Sequence, residues 1–468
     1  MAQQAPALDL RQALASDPPL PGEEENGWTG LEPADPEPGR GPHDGHASGG
    51  ASRDVAALLS RPLDAQLAVE VALRNNRDLR ATVKDVGIAR GRQAQAGLLP
   101  NPQIEAEKPL EPEILSEFGV EYDLTHALLT PLRSNAAAAD VDAARLKLAR
   151  TAVELAFAVQ AAFYEAVSAE QKLTVAQRTL DALAAGRDAA RALLEAGNVP
   201  ALTVATQEAA YERARVLVAQ LQLDVAASRE ALHRTLGLHG SQTTYRLAGQ
   251  LAPAPETVVV PATLETQAVQ ASLELAETRA RLLGLSRRTG LERAEGWLPD
   301  VSVAVRAGEL QHADGGHKER RWAGGLALSI PLFNRNQGTL RATEAEFDGL
   351  QDRYEGMAIR VRSAAREARN RLISAHARAR QYHTVILPAQ GRVTEQTLLQ
   401  FNAMQVGVFQ LLIARRDELD VQIANIETLR EFWTAAAGLE AVLAGARPAE
   451  VSSMTTQFST AAESGGGH

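Results

Sequence analysis

The stretch from Leu148 to Leu183, LARTAVELAFAVQAAFYEAVSAEQKLTVAQRTLDAL, decides the fold. Steps of four and three residues through it meet Leu148, Ala152, Leu155, Val159, Ala162, Ala166, Ala169, Leu173, Ala176, Leu180 and Leu183, and every one is apolar. The mean step of about 3.5 residues is the period of a coiled-coil seam. Alanine fills about half of the seam, which favours close approach of the partner helix. The seam lies in a proline-free run from Leu132 to Val199. As one helix, that run is roughly 100 Å long at about 1.5 Å rise per residue. Few globular domains house such a helix.

Outward from the seam, Pro200 marks a turn and a second helix is predicted over 202–237, ended by Gly237 and Gly240. Upstream, 64–97 reads as a helix ending before Pro100, followed by alternating segments at 101–108 and 117–129. Downstream of a Pro-containing connector the plan returns. A helix is predicted at 263–295, then strand-like segments at 300–307 and 322–331. A long helix follows over 335–399 with Pro388 as a kink, then a turn at 402–407 and a helix at 408–445. Leu98-Leu99-Pro100 matches Trp297-Leu298-Pro299 at an offset of 199, and Pro131-Leu132 matches Pro331-Leu332 at 200. Val199, Leu202 and Leu236 match Val406, Phe409 and Leu443 at 207. A nearly constant offset over such a span is an internal duplication. The expected organisation is a Pro/Gly-rich disordered arm at 1–60, a first repeat at 61–237, a connector at 238–262, a second repeat at 263–445 and a disordered polar tail at 446–468.

The arm is read from composition: residues 1–50 hold 8 Pro and 8 Gly and cannot bury enough surface to offset ordering. Its Pro42–His46 segment is either a weak metal binder or a polar linker. The whole chain of 468 residues carries a formal charge of −10, which argues against a general nucleic-acid binder. With no cysteine there are no disulfides, thiolate metal sites or thiol nucleophiles. No run of 18 apolar residues is present, so no membrane-spanning helix is expected, while a membrane β-barrel stays open. Met1–Pro6 has neither the basic nor the apolar region of an export signal, so the protein is either cytosolic or has lost its signal.

In the strand-like segments Phe118, Val120, Tyr122 and Leu124 alternate with Glu117, Gly119, Glu121 and Asp123. Val301, Val303 and Val305 alternate with Ser302, Ala304 and Arg306, and Trp322, Leu326, Leu328 and Ile330 alternate with small residues. Ile104 and Ala106 against Glu105 and Glu107 form a weaker case. Period two gives one wet and one apolar face. Two readings follow: a small soluble sheet packed on helices, or strands that cross a bilayer. Four strands cannot close a barrel and an open edge is not tolerated in lipid, so the second reading requires several chains.

The duplicated plan resembles the outer-membrane factor (TolC) family. The resemblance covers about 60–445. It rests on Leu98-Leu99-Pro100-Asn101-Pro102 and Trp297-Leu298-Pro299-Asp300 before the strand pairs, on Ile330-Pro331-Leu332-Phe333-Asn334-Arg335-Asn336-Gln337-Gly338 after the fourth strand, and on Ala196-Gly197-Asn198-Val199-Pro200 at the first hairpin tip. The Pro331–Gly338 segment is most similar to the heavy-metal cation branch. The resemblance implies a mainly α protein with membrane β structure: a homotrimer whose twelve strands form one barrel in outer-membrane lipid, continued by a coiled-coil α-barrel in the periplasm. It implies a passive exit duct for small molecules or metal cations, working with a periplasmic adaptor and an inner-membrane pump, with no cofactor and no catalysis. A soluble coiled-coil scaffold and a periplasmic adaptor are the alternatives. The scaffold leaves the duplicated strand pairs and clustered aromatics without a purpose, and adaptors usually carry a single hairpin, more β structure and no such duplicated plan.

On this plan Glu105, Glu107, Glu117, Glu121, Asp123 and Arg306 point into the lumen. Phe118, Val120, Tyr122, Leu124, Val301, Val303, Val305, Leu326, Leu328 and Ile330 face lipid. Five carboxylates against one guanidinium either select cations or only keep the duct hydrated. The periplasmic entrance is assigned to Gly197, Asn198, Val199, Pro200, Thr203, Val406, Gly407, Gln410 and Ile413. The family places aspartates just past the tip; Thr203 and Gln410 at those positions are neutral, which predicts closure by packing and polar contacts. His312 and His317 flank a loop between two strands, and His376 and His383 lie too far apart along a helix to share a metal.

Overall fold

The computed structural model describes residues 55–107, 114–311 and 318–446. The proposed metal-binding segment at Pro42–His46 and the loop bearing His312 and His317 lie outside these residues. Helices α1 (Ala65–Asn75) and α2 (Arg77–Ala96) lead to strands β1 (Gln103–Glu107) and β2 (Ile114–Asp123), then helices α3 (Leu124–Glu195) and α4 (Ala201–Leu236). After the connector the order recurs: α5 (Leu264–Ala271), α6 (Leu273–Trp297), β3 (Asp300–Gln311), β4 (Lys318–Ser329), α7 (Gln337–Gln381), a π turn (Tyr382–Ile386), α8 (Leu387–Asn402) and α9 (Val408–Leu443).

Helix α3 runs for 72 residues. None of the eleven seam positions is exposed, and Ala152, Val159, Ala166, Ala169, Ala176 and Leu183 are buried. By length and composition α3 could cross a membrane, yet half of its apolar stretch is buried within its own chain, as in a core helix. The helix begins at Leu124 rather than Leu132. The Asp123 carboxylate accepts from the His126 N–H at 2.8 Å and starts the helix, which then accommodates Pro131 in its third turn. Leu124 is therefore helical rather than a strand residue, and Ile330 lies just past the end of β4.

Two predicted helices are each broken once. Asn76 separates α1 from α2 and caps α2 through the Asp78 and Leu79 N–H groups. Ser272 separates α5 from α6 and accepts from the Leu275 N–H. Each break packs against the end of its repeat's last helix. The Asn75 and Asn76 side chains donate to the Leu236, Gly237 and Thr235 carbonyls, and the Leu273 N–H donates to the Gly445 carbonyl.

The main core lies at this level, joining α1, α3, α4, the connector, α5, α7 and α9. Val55 and Leu59 are buried in it, so the ordered fold begins before the end of the expected 1–60 arm. Ala446 is likewise buried, at the start of the expected tail. The connector is strapped down by bonds from His376 Nε2 to the Pro255 carbonyl and from Trp433 Nε1 to the Ala252 carbonyl. The strands form one antiparallel sheet in the order β1-β2-β3-β4.

Candidate functional site

Directly paired residues of an antiparallel sheet share a face. One such row is Glu105, Gly119, Arg306 and Ala323; the next is Ile104, Val120, Val305 and Gly324. The alternation puts Glu105, Glu117, Glu121, Asp123 and Arg306 on one face. Phe118, Val120, Tyr122, Val301, Val303, Val305, Leu326 and Leu328 lie on the other. Glu107 pairs in register with Glu117. Charged residues on the polar face that the alternation did not reveal include Asp300, opposite Ser329, and Arg321, opposite Gly308. Both sit at the ends of alternating runs, where composition gives no parity cue. The polar face therefore holds two guanidinium groups rather than one, with Asp300 as an added carboxylate.

Arg306 lies across Gly119 and reaches the Glu105 carboxylate two strands away at 3.6 Å. A Cβ at Gly119 would meet the Arg306 side chain at 3.2 Å, so the absent side chain leaves room for this bridge. At the helical end of the same face, Gln103, Glu121, Asp123, His126, Asp300 and Ser302 line a cavity of about 600 Å³. The opposite face is bare: Ile104, Phe118, Val120, Val305, Trp322, Leu326 and Leu328 are all exposed in the single chain. Among the described residues nothing pairs with the outer edges of strands β1 and β4.

At the far end of the helices the two tips share one design. After α3, Gly197 takes a left-handed φ of 75°, and the Asn198 N–H donates to the Leu193 carbonyl. After α8, Met404 takes φ 58°, and the Gln405 N–H donates to the Gln400 carbonyl. Pro200 and Gly407 precede α4 and α9, and their carbonyls accept from the Thr203 and Gln410 N–H groups. Val199 and Val406 are half-buried, Asn198 and Gln410 are exposed, and Ile413 is exposed one turn on.

Charged residues follow beyond the first turn of α9. Two to three turns into α9, Arg415 pairs with Glu418 at 2.7 Å, and Arg416 pairs with Asp417 at 2.9 Å and Asp420 at 3.9 Å. Desolvation raises the Asp420 carboxyl above its usual range; Arg416 opposes this and Asp417 adds to it. The Arg-Arg-Asp-Glu-Leu-Asp run was visible in the sequence, but it lies beyond the positions matched to the tip.

Outside the hydrophobic core the two hairpins also meet. Leu412 of α9 fills the notch at Gly186 of α3, where a Cβ would lie 2.5 Å from the leucine Cδ1. Nearer the core, Lys172 of α3 pairs with Glu427 of α9 at 2.8 Å. Arg430 bridges Glu427 and Glu165, the latter at 3.1 Å. Burial alone would raise the Glu427 carboxyl; Arg430 and Lys172 outweigh it and hold it at about 2. Among the described residues no group of three or more His, Asp or Glu is arranged to hold a metal ion.

No family model matches the chain. The cobalt-zinc-cadmium resistance protein CzcC of Cupriavidus metallidurans is 24% identical over 390 residues, covering 82% of this chain and 90% of that protein. The nickel-cobalt-cadmium resistance protein NccC of Alcaligenes xylosoxydans xylosoxydans is 28% identical over 221 residues, 46% of each. The solved structure of CusC, described in terms of folding and transmembrane channel formation, matches with a TM-score of 0.65 at 18% identity, covering 83% of this chain and 93% of that one. A membrane protein from Pseudomonas aeruginosa reaches 0.69 at 21% identity over 82% of this chain and 95% of its own. The chain shares the fold of these membrane proteins and is similar to CzcC over most of its length. The motifs that carry the resemblance have local structural roles. In the segment after β4, the Asn334 Oδ1 accepts from the Asn336 N–H and the Gln337 Oε1 from the Arg335 N–H. The turn so formed packs the Arg335 backbone on Gly296, where no Cβ fits. Before β3, the Pro299 carbonyl accepts from the Thr125 hydroxyl, whose oxygen accepts from the Val301 N–H. That hydroxyl joins the strand–helix junctions of the two repeats.

Proposed function

We propose that this chain is the outer-membrane exit duct of a tripartite efflux system, with metal cations as its cargo. The observation that carries the reading is the sheet: one face acidic, the other apolar and bare, and both edges open. In lipid an open edge leaves backbone groups unsatisfied, so the sheet must close against other copies. Three copies supply twelve strands, an even number as in outer-membrane barrels. Phe118, Val120, Tyr122, Val301, Val303, Val305, Leu326 and Leu328 then face lipid, with Ile330 just below. Glu105, Glu107, Glu117, Glu121, Asp123 and Arg306 face the lumen. The long hairpins extend into the periplasm, where their tips form the entrance for an adaptor and an inner-membrane pump. The heavy-metal names of the two relatives and the carboxylate-rich face support cation cargo. A soluble scaffold leaves the bare apolar face without a purpose.

Mass measurement in detergent is expected to give three chains. Single-channel reversal potentials in a salt gradient are expected to show cation preference. That preference fades near 1 M salt, where the Debye length is about 3 Å. Replacing Glu117 and Glu121 by Gln is expected to weaken it without loss of the trimer. A monodisperse monomer in detergent-free buffer would overturn the barrel; a trimer with no cation preference at low salt would overturn only the acidic-lumen assignment.

A further inference from the structure

The apolar face of the sheet is too short for the membrane it is read to cross. Its uncharged rows run from Val301–Leu328 to Ala307–Trp322, and the next row on that face is Glu309–Arg320. Six steps of about 3.4 Å make about 20 Å of strand. At the usual tilt of about 35–45° this spans about 15 Å of a band that is about 25 Å tall in such barrels. About 10 Å of hydrocarbon is left uncovered, and the charged row rules out finding it at the loop end of the sheet.

The missing surface lies on the helical side. Leu124, Leu128 and Leu132 repeat every fourth residue along the first turns of α3, and all are exposed. They cover about 12 Å of helix. His126 lines the acidic cavity on the polar side of the sheet. Leu124 and Leu128, two residues to either side, are rotated by about 200° and so point away from that cavity. At the same junction Trp297, Leu332 and Phe333 are exposed, Phe333 to 91%. The Arg335 guanidinium sits 5.5 Å from the Trp297 ring centre, and its Nε donates to the Pro331 carbonyl at 3.2 Å. Among the described residues no carboxylate pairs with it. An indole, a phenyl ring and an unneutralised cation beside an apolar stripe match the phosphate level of a bilayer.

We propose that this collar is a phospholipid-binding surface. The inner leaflet of the outer membrane extends past the strand ends onto the first three turns of α3, with its phosphates at the level of Trp297 and Arg335. The proposal rests on the membrane-barrel reading and extends it to helical residues.

The cysteine-free chain makes the test direct. Single variants Leu128→Cys, Leu332→Cys, Val305→Cys and Val259→Cys carry a nitroxide label in full-length protein reconstituted into phosphatidylethanolamine–phosphatidylglycerol vesicles. Val305 reports the strand face, and Val259, exposed in the connector, reports water. Relaxation by oxygen is compared with relaxation by a water-soluble nickel chelate. Labels at 128 and 332 are expected to favour oxygen several-fold over the label at 259, as the label at 305 does. Nickel-favoured labels at 128 and 332 beside an oxygen-favoured label at 305 would overturn the collar and leave the barrel. Labels at 128 and 332 shielded from both agents would overturn it in favour of burial by a second copy. A nickel-favoured label at 305 would overturn the barrel reading itself.

Discussion

Gly237 and Gly445 stand at equivalent points of the two repeats, each just past the last helix and each left-handed, with φ of 70° and 93°. What meets them differs. In the first repeat two asparagine side chains reach the end of α4, and a Cβ on Gly237 would find the Asn75 carbonyl oxygen at 3.1 Å. In the second repeat backbone meets backbone, and a Cβ on Gly445 would find the Ala271 carbonyl oxygen at 2.3 Å. The tips repeat the contrast, with Gly197 and Met404 in the same left-handed turn. The long helices do so too: α3 is unbroken, while its counterpart is interrupted by the π turn ahead of Pro388. Duplication has held the backbone positions and let the side chains that secure them drift.

The largest expected effect tests that contrast at its tightest point. Gly445→Ala combines left-handed strain of about 1–2 kcal/mol with overpacking of about 1–3 kcal/mol against an immovable carbonyl. A loss of about 3 kcal/mol or more is expected. Gly237→Ala carries the same strain with a looser contact and is expected to cost about 1–2 kcal/mol. Thermal unfolding of the two variants ranks them. Equal midpoints would show that the first repeat is held as tightly as the second.

These breaks were the least legible part of the fold. The 3.5-residue seam was plain because each of its positions is apolar, and the strand faces were plain because one parity is charged. Asn76 and Ser272 carry no such mark. Neither is Gly or Pro, and the helical pattern runs through them, since the chain stops and restarts with a side-chain cap. Pro131 misled in the other direction. A proline was read as the boundary, whereas Asp123 set the start eight residues earlier. At the tip, matching by register found the turn but not the Arg416, Asp417 and Asp420 cluster, because the cluster lies further along the helix than the motif.

A smaller effect concerns the ion pairs between the hairpins. The Glu427 carboxyl is held at about 2, against an ordinary carboxylate near 4.5. A lowered folded pKa stabilises above the unfolded value, and that stabilisation is lost as pH falls from about 4.5 toward 2. Glu427→Gln is therefore expected to lower the thermal unfolding midpoint at pH 7 and to converge on the unaltered protein by pH ~2. The side chain is about one-third exposed, so the pH 7 difference is discounted for solvent to roughly 1 kcal/mol. A difference that persists undiminished at low pH would mean that Glu427 acts through packing rather than through Lys172 and Arg430.

The smallest effect sharpens the comparison of the tips. Met404 holds a left-handed conformation that an L side chain resists by about 1–2 kcal/mol. Its side chain is 94% exposed and recovers almost nothing by packing. Met404→Gly removes the strain and adds chain entropy to the unfolded state, worth about 0.4–1 kcal/mol in the opposite sense. The balance is a gain of about 0.5 kcal/mol, confined to the turn. Global unfolding is blind to so local a change, so hydrogen exchange at the Met404 and Gln405 amides is the measurement. Those amides donate to the Phe401 and Gln400 carbonyls and protect only while the turn is closed. Slower exchange in the variant is expected, approaching that of the Gly197 turn. Faster exchange would show that the exposed thioether already stabilises the turn.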